Sequence, residues 1–167
     1  VHVNTERRWV ASDGFEVSDD GRTVTKARRD TTYLPARVAW KAPDGVATRW
    51  TFGVTRTVRN RIVLGVQAVP LVSGCCALFS CEGGHVSCTP PEGKVFHVPA
   101  GRGKCGVGEG GAVDVVVDLR DPGIAAVTFE ADGKTSCVTL NVSDVRKECL
   151  FLVAYMSNPG DALTLES

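Results

Sequence analysis

Gly101-Arg102-Gly103-Lys104-Cys105-Gly106 has the G-x-G-x-x-G spacing of a dinucleotide site. That chemistry needs a strand before the glycines and a helix after them, because the helix N-terminus holds the pyrophosphate. Here Gly108, Gly110 and Gly111 come next, followed by a strand pattern from Val113. The stretch therefore reads as a loop that carries two cations, Arg102 and Lys104. A second group, Cys75, Cys76, Cys81, His85 and Cys88, offers the sulfur and imidazole ligands of a tetrahedral zinc site. No C-x-x-C pair is present, and adjacent cysteines on a strand point to opposite faces. Cys81, His85 and Cys88 remain as metal candidates, since Cys81 and Cys88 could meet across the Gly83-Gly84 turn.

Acid–base chemistry finds little support. Asp114 and Asp118 share a strand face, but four residues of strand separate them by about 13 Å. A glycosidase pair needs roughly 5–9.5 Å. Only His2, His85 and His97 are available as histidine bases, and no G-x-S-x-G elbow accompanies them. The reading is a chain without catalytic residues or a cofactor. Arg56, Arg59 and Arg61 form a basic cluster between two strand patterns. On a hairpin loop they would be exposed, where loops on a rigid scaffold carry binding and arginine is favoured at binding hot spots. Arg28 and Arg29 invite the same reading. Single-stranded nucleic acid would also want interleaved aromatic rings, and these loops contain none.

The elements that position these groups read as strands. Trp50, Phe52 and Val54 alternate with Arg49, Thr51 and Thr55. Val113, Val115, Val117 and Leu119 alternate with Asp114, Val116 and Asp118, and Val127 and Phe129 with Thr128 and Glu130. A period of two marks a strand with one buried face. Ser18-Asp19-Asp20-Gly21, Glu82-Gly83-Gly84, Asp121-Pro122-Gly123 and Asp132-Gly133 separate the runs and supply turn chemistry. Only Val142 to Cys149 offers a helical turn or two, with Ser143 as its cap. Many short strands and scarce helix predict an antiparallel, two-sheet β-sandwich.

The 167 residues suit one domain, and 43% hydrophobic and 23% charged residues are ordinary for a globular chain. Basic and acidic residues balance at 19 each, which argues against a nucleic-acid module. Val1 to Arg61 nevertheless carries twelve basic and seven acidic residues, and the remainder seven and twelve. Seven irregularly spaced cysteines do not make a disulfide framework, so they read as reduced thiols in an intracellular, cytoplasmic protein. No apolar run is long enough to span a membrane.

The order of these features resembles the SPRY (B30.2-like) family. The resemblance rests on Arg49-Trp50-Thr51-Phe52-Gly53-Val54, then Ile62-Val63-Leu64-Gly65-Val66, then the glycine-rich entry to Val113-Asp114-Val115-Val116-Val117-Asp118-Leu119. It continues through Val127-Thr128-Phe129-Glu130-Ala131-Asp132-Gly133 to Pro159-Gly160-Asp161-Ala162-Leu163. Asp132 stands where the family usually has asparagine. The resemblance implies a jelly-roll-like sandwich over residues 15–167, with residues 1–14 as an N-terminal extension packing on it. It further implies a non-catalytic, monomeric interaction domain within a larger chain, binding a peptide or a protein surface through loops at one end. Family loops vary, so Arg56, Arg59, Arg61, Arg102 and Lys104 are assigned to partner binding from loop position and charge alone. Two alternatives stand beside this reading. One is a lectin-like carbohydrate-binding sandwich using Trp9 or Trp40. The other is a Cys/His zinc-binding structural domain.

Overall fold

Wherever apolar and polar residues alternate, the backbone is extended and pairs with a neighbour. The computed structural model describes residues 7–40, 43, 45–68, 76–89, 96–99, 106–143 and 150–166. Two antiparallel sheets result. The first has seven strands in the order β1 (Phe15–Val17), β2 (Thr23–Lys26), β13 (Ala162–Glu166), β4 (Ala47–Arg56), β9 (Ala112–Asp118), β10 (Ile124–Ala131) and β11 (Lys134–Asn141). The second has six, in the order β3 (Leu34–Arg37), β12 (Leu150–Met156), β5 (Ile62–Ala68), β6 (Cys76–Ser80), β7 (His85–Thr89) and β8 (Phe96–Pro99). No helix occurs among the described residues, and the helical turn expected over 142–149 falls largely outside them.

The inward positions expected from the sequence form the core. Trp50, Phe52, Val54, Val113, Val115, Val117, Val127 and Phe129 are buried from the first sheet, and Leu64, Val66, Phe79 and Leu152 from the second. Phe79 and Phe129 stack across the layers with centroids 5.9 Å apart. Trp9 and Trp40 are also buried, edge-on to Phe52 and Trp50 respectively. The Trp9 indole N–H donates to the Arg22 carbonyl at 2.9 Å, and Trp9 bridges Val38. Burying either tryptophan removes the exposed ring face that a carbohydrate site on it would need.

Local backbone geometry sets two of the connections. At β10–β11, Asp132 and Gly133 both have positive φ (52° and 72°), the two-residue turn whose twist matches its strands. Between β13 and β4 the register skips a residue: Ala162 pairs with Arg56, but Leu163 pairs with Val54. Thr55 is the extra residue of this bulge, a device that bends a strand and re-aims the residues beyond it. The residues re-aimed here are Arg56 and the β4–β5 connection. That connection is not the expected hairpin, because β4 and β5 belong to different sheets. The chain crosses from one layer to the other there, and a tight turn with flanking alternation looks the same in sequence for either path.

Candidate functional site

The strand registers decide which loops meet. Arg56 is opposite Ala162, and Gly53 is opposite Ala112. Met156 is opposite both Ile62 and Leu34, and Val63 is opposite Ser80. One end of the sandwich therefore gathers the β2–β3 loop (27–33), the β4–β5 crossover (57–61), the β6–β7 turn (81–84), the segment entering β9 (106–111) and the β12–β13 loop (157–161).

Two buried charged side chains hold three of these loops. Lys26 ends β2 with its side chain wholly buried. Its ammonium donates to the carbonyls of Asp30 (2.9 Å), Thr32 (2.6 Å) and Ser157 (2.5 Å), and lies 3.3 Å from the Asp30 carboxylate. Such a cation survives burial only because acceptors surround it. Partial desolvation works against the Asp30 charge. The Thr32 amide, Lys26 and Arg28 outweigh it and hold the carboxyl below its usual range. Asp161, fully buried, accepts the Val58 amide on Oδ1 and the Asn158 amide on Oδ2, each at 3.0 Å. Gly160, at φ 93°, makes the turn that delivers it. Asn60, also at positive φ, donates from Nδ2 to the Cys81 carbonyl at 2.9 Å, and the Val107 amide donates to the same oxygen at 2.8 Å.

Arg56, Arg59 and Arg61 are exposed on this scaffold, as the sequence led us to expect. Tyr33, 43% exposed, comes from the β2–β3 loop, and Val58, 54% exposed, from the crossover. Desolvation lifts the Tyr33 phenol above its usual range. Arg61 opposes that shift, while Glu82 and Asp161 reinforce it, so all three charges lie within electrostatic range of the hydroxyl. The basic loop thus has an aromatic neighbour supplied by another loop, although its own sequence contains none. Arg102 and Lys104 lie outside the described residues.

The sequence matches no family model and no curated protein. Solved structures do resemble it. The SPRY domain of human HERC1 superposes with a TM-score of 0.66 at 15% identity, over 90% of this chain and 91% of that one. A second human SPRY domain gives 0.65 at 14% identity, over 92% and 95%. The fold is that of SPRY domains.

Within this SPRY fold the metal candidates do not converge. In the β6–β7 register Cys88 faces Ala77 rather than Cys81. Cys88 and Val86 point into the core, whereas His85 is on the exposed side of the same strand. Cys81 is fully buried, and desolvation pushes its thiol up to about 12. Among the described residues no three His, Cys, Asp or Glu side chains are grouped to hold a metal ion. Asp114 and Asp118 are half-buried and separately engaged. Asp114 takes Arg49 at 2.8 Å and the Thr51 hydroxyl at 2.6 Å, and Asp118 takes Arg120 at 2.6 Å. The Arg120 hydrogen bonds bring the Asp118 carboxyl down to about 2.

Sequence reasoning missed Tyr33, Lys26 and the structural part played by Asp161. Only Asp161 left a trace, in the Gly160-Asp161 pair of the family resemblance.

Proposed function

We propose that this chain is a non-catalytic protein-interaction module that binds a peptide segment or a partner surface through the loop end carrying Arg56, Arg59, Arg61, Tyr33 and Val58. The observation that carries this reading is a cationic and partly apolar loop surface fixed on a rigid sandwich by the buried side chains of Lys26 and Asp161. Preorganised loops lose less freedom when a partner docks, which favours binding. The SPRY fold supports the same reading by analogy of architecture, since a fold hosts function only through its sites. Arg102 and Lys104, which lie outside the described residues, stay in the proposal on charge and sequence position alone. We take the domain to act as a monomeric part of a larger chain in an intracellular setting, with residues 1–14 packing on the sandwich as an extension. Among the described residues no helix is long and apolar enough to cross a membrane.

Affinity capture tests the proposal. The intact chain serves as one bait, and a variant with Arg56→Glu, Arg59→Glu and Arg61→Glu as the other, both verified by circular dichroism. Partners retained by the first and lost from the second are the expected result. Equal recovery of every partner by both baits removes this end from the proposal.

A further inference from the structure

Five of the eleven described arginines already have a protein partner for the guanidinium. Arg28 lies 2.8 Å from Asp30, Arg49 bridges Asp114 and Glu130 at 2.8 and 2.9 Å, and Arg120 holds Asp118 at 2.6 Å. Arg7 and Arg37 sit over the rings of Trp50 and Phe151, 5.0 and 4.8 Å from their centroids. Arg56, Arg59 and Arg61 lack such a partner, as do Arg8, Arg22 and Arg29, but only the first three cluster on one crossover. All three are exposed, and none makes an ion pair or a side-chain hydrogen bond among the described residues. Two acids are linked to this crossover: Glu109 accepts the Thr57 amide at 3.1 Å and Asp161 the Val58 amide at 3.0 Å. Four large hydrophobic side chains are exposed among the described residues, and two of them, Tyr33 and Val58, are on the loops that carry or flank these arginines.

Resting on the partner-binding reading above, we propose that this end recognises an acidic peptide segment, its carboxylates on Arg56, Arg59 and Arg61 and an apolar side chain against Tyr33 and Val58. The guanidinium fork matches a carboxylate in two parallel hydrogen bonds. The backbone beneath the cations is already fixed, through Val58 to Asp161 and through the Asn60 amide to the Thr57 hydroxyl at 2.8 Å. Glu82, within electrostatic range of Tyr33, repels acid on the β6–β7 side and so directs the peptide's carboxylates toward the crossover. A nucleic acid is anionic too, but single strands are gripped by successive stacking rings. Tyr33 is the one exposed Phe, Tyr or Trp among the residues whose burial is described.

The test is selection from a random dodecapeptide library displayed on phage. The intact wild-type chain and the Arg56→Glu, Arg59→Glu, Arg61→Glu variant are panned in parallel, with a triple Arg→Gln variant replacing the latter if it does not fold. Sequences recovered on the wild type are expected to be enriched in Asp and Glu over the input library. A fluorescein-labelled synthetic copy is expected to bind the wild type at least about tenfold more tightly than the variant, to weaken with added salt, and to bind Glu82→Gln more tightly. Recovered peptides that lack acid enrichment yet fail on the variant overturn the acidic specificity and leave the surface standing. Peptides that bind both baits equally overturn the surface as well. A dodecathymidylate bound as tightly as the best peptide overturns the choice of a peptide.

Discussion

The Lys26 amide donates to the Asp161 carbonyl at 2.9 Å, while the two side chains reach in different directions. The ammonium is enclosed by the β2–β3 loop and Ser157, and the carboxylate by the crossover and Asn158. Three loops of one end thus converge on a single pair of neighbouring backbones.

Replacing Lys26 with Met keeps the length of the side chain and removes its donor. The carbonyls of Asp30, Thr32 and Ser157 then lose the cation they share. Leaving buried acceptors without a donor costs about 1–3 kcal/mol. Urea unfolding should show a loss of that size. Hydrogen exchange should accelerate in residues 27–33 before it does so in β4 or β9.

Asp161→Asn tests the other half. An amide retains one acceptor oxygen and places an NH₂ group where the second backbone amide now donates. The expected loss is about 1.5–3 kcal/mol, the range for a hydrogen bond to a charged group. Faster exchange at the Val58 amide, with the Trp50–Phe52 region unchanged, would be its signature in NMR.

At Gly65 the backbone of β6 crowds β5. A Cβ there would collide with the Ala77 carbonyl oxygen, which is backbone and cannot swing aside. Gly65→Ala should therefore cost roughly 1–3 kcal/mol or more, read as a lower urea midpoint. An exposed control such as Gly133→Asn, at φ 72° with open space around it, should be nearly neutral, because asparagine tolerates that backbone region.

Much of this architecture can be read from residue order. Trp50, Phe52, Val54 and the valines of β9 show their faces by alternation, and Asp132-Gly133 announces its own turn. The crossover after Arg56 passes for a hairpin in sequence because both begin and end in the same local pattern. What separates them is the pairing of β4 with β9 and β13, which is set by residues far along the chain. The enclosure of Lys26 is invisible for another reason. Its partners are mostly main-chain oxygens, and these have no letter in a sequence. Tyr33 escapes notice because it comes within electrostatic range of Arg61 only once two loops fold to the same end.

The cysteines make a pH-dependent prediction. Cys137 is exposed and Cys81 is buried, so iodoacetamide should label Cys137 of the native chain and spare Cys81 until urea is added, as read by peptide mass spectrometry. Burial raises the Cys81 thiol from 9.0 to about 12 in the folded state. A raised folded value favours the neutral form. Its contribution is complete below pH 9 and declines as pH climbs toward 12, because only the unfolded chain ionises readily in that window. The difference in urea midpoint between the native chain and Cys81→Ala should accordingly narrow above pH 9.

Main-chain oxygens are the same on every amino acid. Because Lys26 grips Thr32 and Ser157 by those atoms, the side chains at the loop tips can be exchanged without loosening the anchor. The end that meets the outside world is free to drift in specificity from one descendant to the next, and is equally open to an engineer who wants new tips on an old frame.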